Sequence, residues 1–140
     1  MKRKIFAFCL CVSGMVQAQN FQGLWKGSIT RDYGDETRTD SIHFQLEQAG
    51  LKIKGYSIVY IDSSHYIKAA ITGDYNASTK MLRLIETSVL ENNFRSKDQE
   101  IFLDKYVISY DPMEPGKLYG KSISREIKQG YSRSVLSVKK

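Results

Sequence analysis

The chain has 140 residues, of which 41% are hydrophobic and 11% aromatic, and a formal net charge of +6. That length holds one domain rather than two, and the apolar content suffices for a packed core, which excludes a wholly disordered chain. No run of 18 apolar residues is present, so a polytopic membrane protein is excluded too.

The first residues read as an export signal. Lys2, Arg3 and Lys4 form a basic start, Ile5 to Val16 an apolar stretch, and Val16-Gln17-Ala18 a cleavage site. Cleavage after Ala18 leaves one domain, residues 19–140, destined for the periplasm or the extracellular space. As a membrane anchor the stretch is short, since it would reach only about 18 Å as a helix. Cys9 and Cys11 lie inside it and follow Phe8 and Leu10, where lipidation needs a small residue. The mature chain therefore has no cysteine for a disulfide, a nucleophile or a thiolate metal site. Losing the leader leaves 18 of the 21 basic residues against 15 acidic ones, an excess of only +3. That weakens the electrostatic case for nucleic acid, and no membrane span is expected in the mature chain.

From Gly23 onward the apolar pattern has a period near two, interrupted by turn residues. It predicts strands over Leu24–Thr30, Asp40–Gln48, Leu51–Ile61, His65–Asp74, Lys80–Glu91, Ile101–Tyr110, Lys117–Arg125 and Ser132–Lys139. The second alternates Ile42, Phe44 and Leu46 with His43, Gln45 and Glu47. Ala49-Gly50, Asp62-Ser63-Ser64, Asn76-Ala77-Ser78-Thr79, Asp111 to Gly116 and Gln129-Gly130 supply turns. Both prolines fall in the Asp111–Gly116 turn, where no ladder donor is needed. No helical stripe of three turns survives. The fold class is all-β, an antiparallel up-and-down meander of about eight strands closed into a small barrel, with a two-sheet sandwich as the alternative.

In a meander the odd-numbered connections share one end. The two longest, Arg31–Thr39 and Asn92–Glu100, are both odd-numbered and mark that end as the mouth. Arg31, Tyr33, Arg38, Phe94 and Arg95 are its candidate partner-binding residues, charged and tipped with aromatic rings.

Gly23-Leu24-Trp25, a Gly-x-Trp at the start of the first strand just after a signal peptide, resembles the opening motif of lipocalins. The resemblance implies an eight-stranded barrel whose base is closed by Trp25, with a basic residue of the last strand, Lys139 or Lys140, packed across it. The Arg31–Thr39 loop resembles the lipocalin lid. At about 122 residues the mature chain is short for that family, and Thr72-Gly73-Asp74-Tyr75, similar to its Thr-Asp-Tyr motif, follows a different strand. An avidin-like small barrel is the related expectation.

Trp25, Phe44, Ser57 and Glu86 are the candidate ligand-binding residues. Trp25 reads as a ligand wall or, with more weight, as a plug in the base. Glu86 shares a strand face with Leu82, Leu84 and Leu90. If that face points inward, a carboxylate lies inside the barrel with a raised pKa and can hold a polar ligand group. If Arg83, Ile85 and Thr87 face inward instead, Glu86 is solvated. Gly27, Gly55, Gly73 and Gly120 are expected to leave room inside. His43 and His65 lack a third converging ligand, so no metal site is expected. No Gly-x-Ser-x-Gly elbow or phosphate loop is present, so neither catalysis nor a cofactor is implied. The sequence thus points to an exported carrier of a small hydrophobic or amphipathic ligand, or to a protein-binding module acting through its mouth loops.

Overall fold

A computed structural model describes residues 19–93, 101, 103–124 and 133–140. Among them are eight strands: β1 (Gly23–Asp32), β2 (Thr37–Ala49), β3 (Lys52–Tyr60), β4 (Tyr66–Asn76), β5 (Met81–Asn92), β6 (Asp104–Tyr110), β7 (Lys117–Ser124) and β8 (Arg133–Lys139). Each pairs antiparallel with its sequence neighbours, and β8 returns to β1, closing the barrel in the order β1 to β8. Closure excludes the sandwich.

The strands form where the period-two pattern predicts them, because the apolar residue of each pair is the one that can be buried. Asp or Asn side chains set four of the hairpins. Gly34 donates its N–H to Asp32 Oδ1, Ser64 to Asp62 Oδ1, Ser78 to Asn76 Oδ1 and Met113 to Asp111 Oδ1, at 2.7–3.0 Å. These Asx turns replace backbone partners that the reversing chain loses.

The base is sealed by aromatic rings. Phe21, which precedes β1, lies 4.8 Å from Tyr75 and 5.6 Å from Tyr110 between ring centroids. Its carbonyl accepts the indole N–H of Trp25 at 2.8 Å, and Gln48 Oε1 accepts its own N–H at 2.7 Å. Trp25 is therefore a base plug, and Lys140 Nζ sits 5.6 Å from its ring centroid. Gly23 has φ +119°, and a Cβ there would press on the Lys140 side chain. These two facts explain the glycine of the Gly-x-Trp. Above the plug, Ile29, Ile42, Phe44, Leu46, Leu84, Ile108 and Leu136 fill the lumen, all 0% exposed. Each such side chain contributes about 1.5–3 kcal/mol by leaving water.

Two expectations are corrected. The glycines do not leave room in the lumen. A Cβ on Gly27 would overlap the Ser137 carbonyl of β8, and one on Gly55, at φ +153°, would overlap the Gln45 carbonyl of β2. They let strands bend and approach closely, as corners of a small barrel require. The stretch Arg31–Thr39 is not a long lid either. Arg31 pairs with Arg38 and Asp32 with Thr37 in the β1–β2 ladder, leaving a four-residue turn closed by Tyr33 N–H to Glu36 O at 2.8 Å.

Because Gly27 sits on the seam that closes the barrel, Gly27→Ala is expected to cost about 2–3 kcal/mol of unfolding free energy. Gly116→Ala, where nothing lies within 4 Å of the added carbon, should stay within about 0.5 kcal/mol of the parent. Urea denaturation of the two variants measures the difference; equal costs would contradict a tight seam.

Candidate functional site at the mouth

Toward the mouth the lumen changes from large apolar side chains to small and polar ones: Ser57, Ala69, Glu86, Asp104 and Ser122 point inward and are buried. The change coincides with two places where the sheet parts. The β5–β6 ladder ends at Ile85 and Lys105, one residue before Glu86 and Asp104. The β7–β8 ladder ends at Gly120 and Leu136. A parted ladder strands backbone donors that must be satisfied if buried.

Side chains answer at both seams. Glu86 Oε2 accepts the Asp104 backbone N–H at 2.8 Å, while Glu86 Oε1 accepts the hydroxyls of Ser57 at 2.6 Å and Tyr106 at 2.8 Å. Between β7 and β8, Ser134 Oγ accepts the Ser122 N–H at 2.7 Å and donates to the Ser122 carbonyl at 2.6 Å. Burial pushes the Glu86 carboxyl above its usual range, against the opposing pull of the Asp104 amide and the two hydroxyls. Burial also drives the Tyr106 phenol well above its ordinary value, helped by the nearby carboxylates of Glu86 and Asp104.

A charge chain continues from there. Arg31, 8% exposed, reaches Asp104 Oδ2 with Nη2 at 2.8 Å and Asp40 Oδ2 with Nη1 at 3.1 Å. Asp40 Oδ1 takes Arg38 Nε at 2.8 Å. Arg38 lies at the rim, its side chain 37% exposed, yet its Nη2 is buried and has no hydrogen-bond partner among the described residues.

Of the residues singled out in the sequence, Ser57 and Glu86 are in direct contact, and Phe44 packs edge-on against Tyr106 with centroids 5.0 Å apart. Trp25 stands apart in the base plug. Arg31 is a buried strand residue rather than a loop residue, and Tyr33 is exposed at the β1–β2 tip. Phe94 and Arg95 lie outside the described residues. Leu90 does not share the face of Leu82 and Leu84. Bulges at Thr87 and Leu90 shift the register, so that Val89 pairs with buried Ala69 and Leu90 is exposed. Asp40, Asp104 and Tyr106 were not foreseen; Asp104 begins the alternation Asp104, Tyr106, Ile108, Tyr110, the one signal that could have placed it inward. No group of three or more His, Cys, Asp or Glu arranged to hold a metal occurs among the described residues. No helix there is long and apolar enough to cross a membrane. No protein-family model matches the chain, and a search of curated proteins gives no significant match.

Two predictions follow from the cluster. Arg31→Met leaves two buried carboxylates short of a cation and should cost about 3–5 kcal/mol by urea denaturation, whereas a cost below about 1 kcal/mol would contradict the buried chain of charges. A carboxyl whose folded pKa is raised makes its full contribution to stability below the unfolded-state pKa and loses it as pH rises through the folded pKa. The stability of Glu86→Gln relative to the parent should therefore improve as pH rises above the ordinary carboxylate range. A pH-independent difference would contradict the raised pKa.

Proposed function

We propose that this protein is an exported, lipocalin-like binding protein without catalytic activity, which takes a small amphipathic ligand at the mouth of its barrel. The observation that carries the reading is the buried Nη2 of Arg38 at the rim, which has no hydrogen-bond partner among the described residues. A guanidinium N–H withdrawn from water costs free energy until an acceptor meets it, and a carboxylate or phosphate head supplies one through a charge-assisted hydrogen bond. Apolar side chains share that end: Val59 is nearly buried, and Val89 is half-exposed with its partner Ala69 beneath. They suit the apolar part of the same ligand. Below them the filled lumen sets a floor, so the ligand is received at the mouth and does not pass to the base.

The leader-like residues 1–18 support export, and the Gly-x-Trp with Lys140 across the indole supports kinship with lipocalins. A second reading, a protein-binding module, is favoured by the exposed Tyr33 ring at the hairpin tip.

Titration with a panel of fatty acids, the matching fatty alcohols, haem and pigments tests the proposal. At least one carboxylate ligand should bind, and Arg38→Met should weaken it about tenfold or more while weakening the alcohol little. Asp40 keeps Arg31 in that variant, so it should fold. Absence of binding across the panel, with Tyr33→Ala abolishing capture of a protein partner, would favour the second reading.

A further inference from the structure

The outer wall of the barrel is divided by charge. Along β5 to β8 and on to β1, the outward positions over Met81–Ile85, Lys105–Ser109, Lys117–Ile123, Val135–Lys139 and Leu24–Thr30 carry Lys26, Arg83, Lys105, Lys117, Lys121 and Lys139. None of these outward positions carries Asp or Glu. Acids only border the wall: Asp74 pairs in register with Arg83, Glu114 holds Lys117 at 2.9 Å, and Asp32 ends β1.

The register makes this costly. Lys117 lies directly opposite Lys139, and Lys139 directly opposite Lys26 on the next strand. Like charges in directly opposed positions destabilise a sheet. The same row continues to His43 on β2, whose imidazole is held below its ordinary pKa by partial burial and then by the charge of Lys26. Between the cations stand half-exposed apolar side chains, Ile85, Tyr119, Ile123 and Val135, at 37–54%. Ile85 and Ile123 flank Lys105 in one cross-strand row, and Val107 lies between Arg83 and Lys121 in another.

We infer that this wall docks on an anionic lipid bilayer surface, the lysines and Arg83 meeting headgroup phosphates and the interleaved apolar side chains reaching the headgroup–acyl boundary. Charge complementarity sets the sign of the partner. The alternation of cation and aliphatic side chain selects a lipid surface over a purely polar polyanion, since each lipid presents both chemistries within a few ångströms. The docked wall leaves the mouth at one end of the barrel axis, free to exchange a ligand with the bilayer or the solvent. The wall does not depend on the ligand-binding reading; it stands on its own register and charges.

Vesicle flotation tests it, with the purified protein and vesicles of phosphatidylcholine alone or with roughly one part phosphatidylglycerol to two. The protein should float with the anionic vesicles and not the neutral ones, and should be released in about 1 M salt, where the screening length falls to about 3 Å. Lys121→Glu/Lys139→Glu should lower the partition about tenfold or more. Lys52→Glu/Lys54→Glu, with the same net charge but on β3 across the barrel, should leave it close to the parent; circular dichroism checks that both pairs fold. Equal flotation with neutral vesicles, equal loss from both pairs, or capture of an acidic soluble protein with no flotation would each overturn the inference.

Discussion

The Asp104 backbone N–H, stranded where β5 and β6 part, is met by the buried carboxylate of Glu86, and the upper half of the barrel is arranged around that bond. A carboxylate withdrawn from water needs its own donors, and Ser57 and Tyr106 supply them from β3 and β6. The Asp104 side chain, fixed by the same amide, needs a cation, which draws Arg31 inward; Arg31 then holds Asp40, and Asp40 holds Arg38 at the rim. One parted ladder thus places a chain of charges from the lumen to the mouth. A buried network of this kind is weak evidence for stability in itself. What it does here is end at a guanidinium nitrogen with no acceptor among the described residues, at the end of the barrel where the inward side chains become small.

The two halves of the lumen follow different physics. At the base, Phe21, Tyr75 and Tyr110 close the barrel by ring contact, Trp25 is tied to Phe21 through its indole N–H, and Lys140 lies against the indole. Dense packing leaves that half no degree of freedom to trade for ligand. At the mouth, hydrogen bonds stand in for missing ladder bonds at two seams, and small side chains line the wall. Polar chemistry and dense packing are thereby separated along the barrel axis, while the outer wall on the β5–β8 side carries its cations with acids only at its borders.

Much of this was legible in the sequence, for identifiable reasons. Period-two alternation and turn residues located all eight strands to within a few residues, because each strand has one buried face and Asp or Asn acceptors mark four of the hairpins. Alternation set Glu86 on the face of Leu82 and Leu84 but left open which face points inward; the structure turns that face into the lumen. Leu90 was misplaced because two bulges advance β5 by two residues against β4, and a bulge leaves no trace in alternation. Arg31 and Arg38 read as loop because charge in a short window argues for solvent. What keeps them in strands is Asp40 and Asp104, the latter 73 residues from Arg31, and such pairings are set by closure of the barrel. The four inward glycines signalled small volume, whereas the neighbouring strand backbone occupies that volume. Phe21 sits two residues ahead of β1, where no period exists to mark it.

Native mass spectrometry of the gently purified protein tests the central claim, that the mouth holds an amphipathic ligand, most directly. The account predicts a reproducible extra mass that is lost on organic extraction, ionises as a carboxylate or phosphate, and is diminished in Arg38→Met. A bare mass in the parent, unchanged after incubation with a carboxylate lipid, would contradict it and leave the mouth cluster as scaffolding for the parted strands alone.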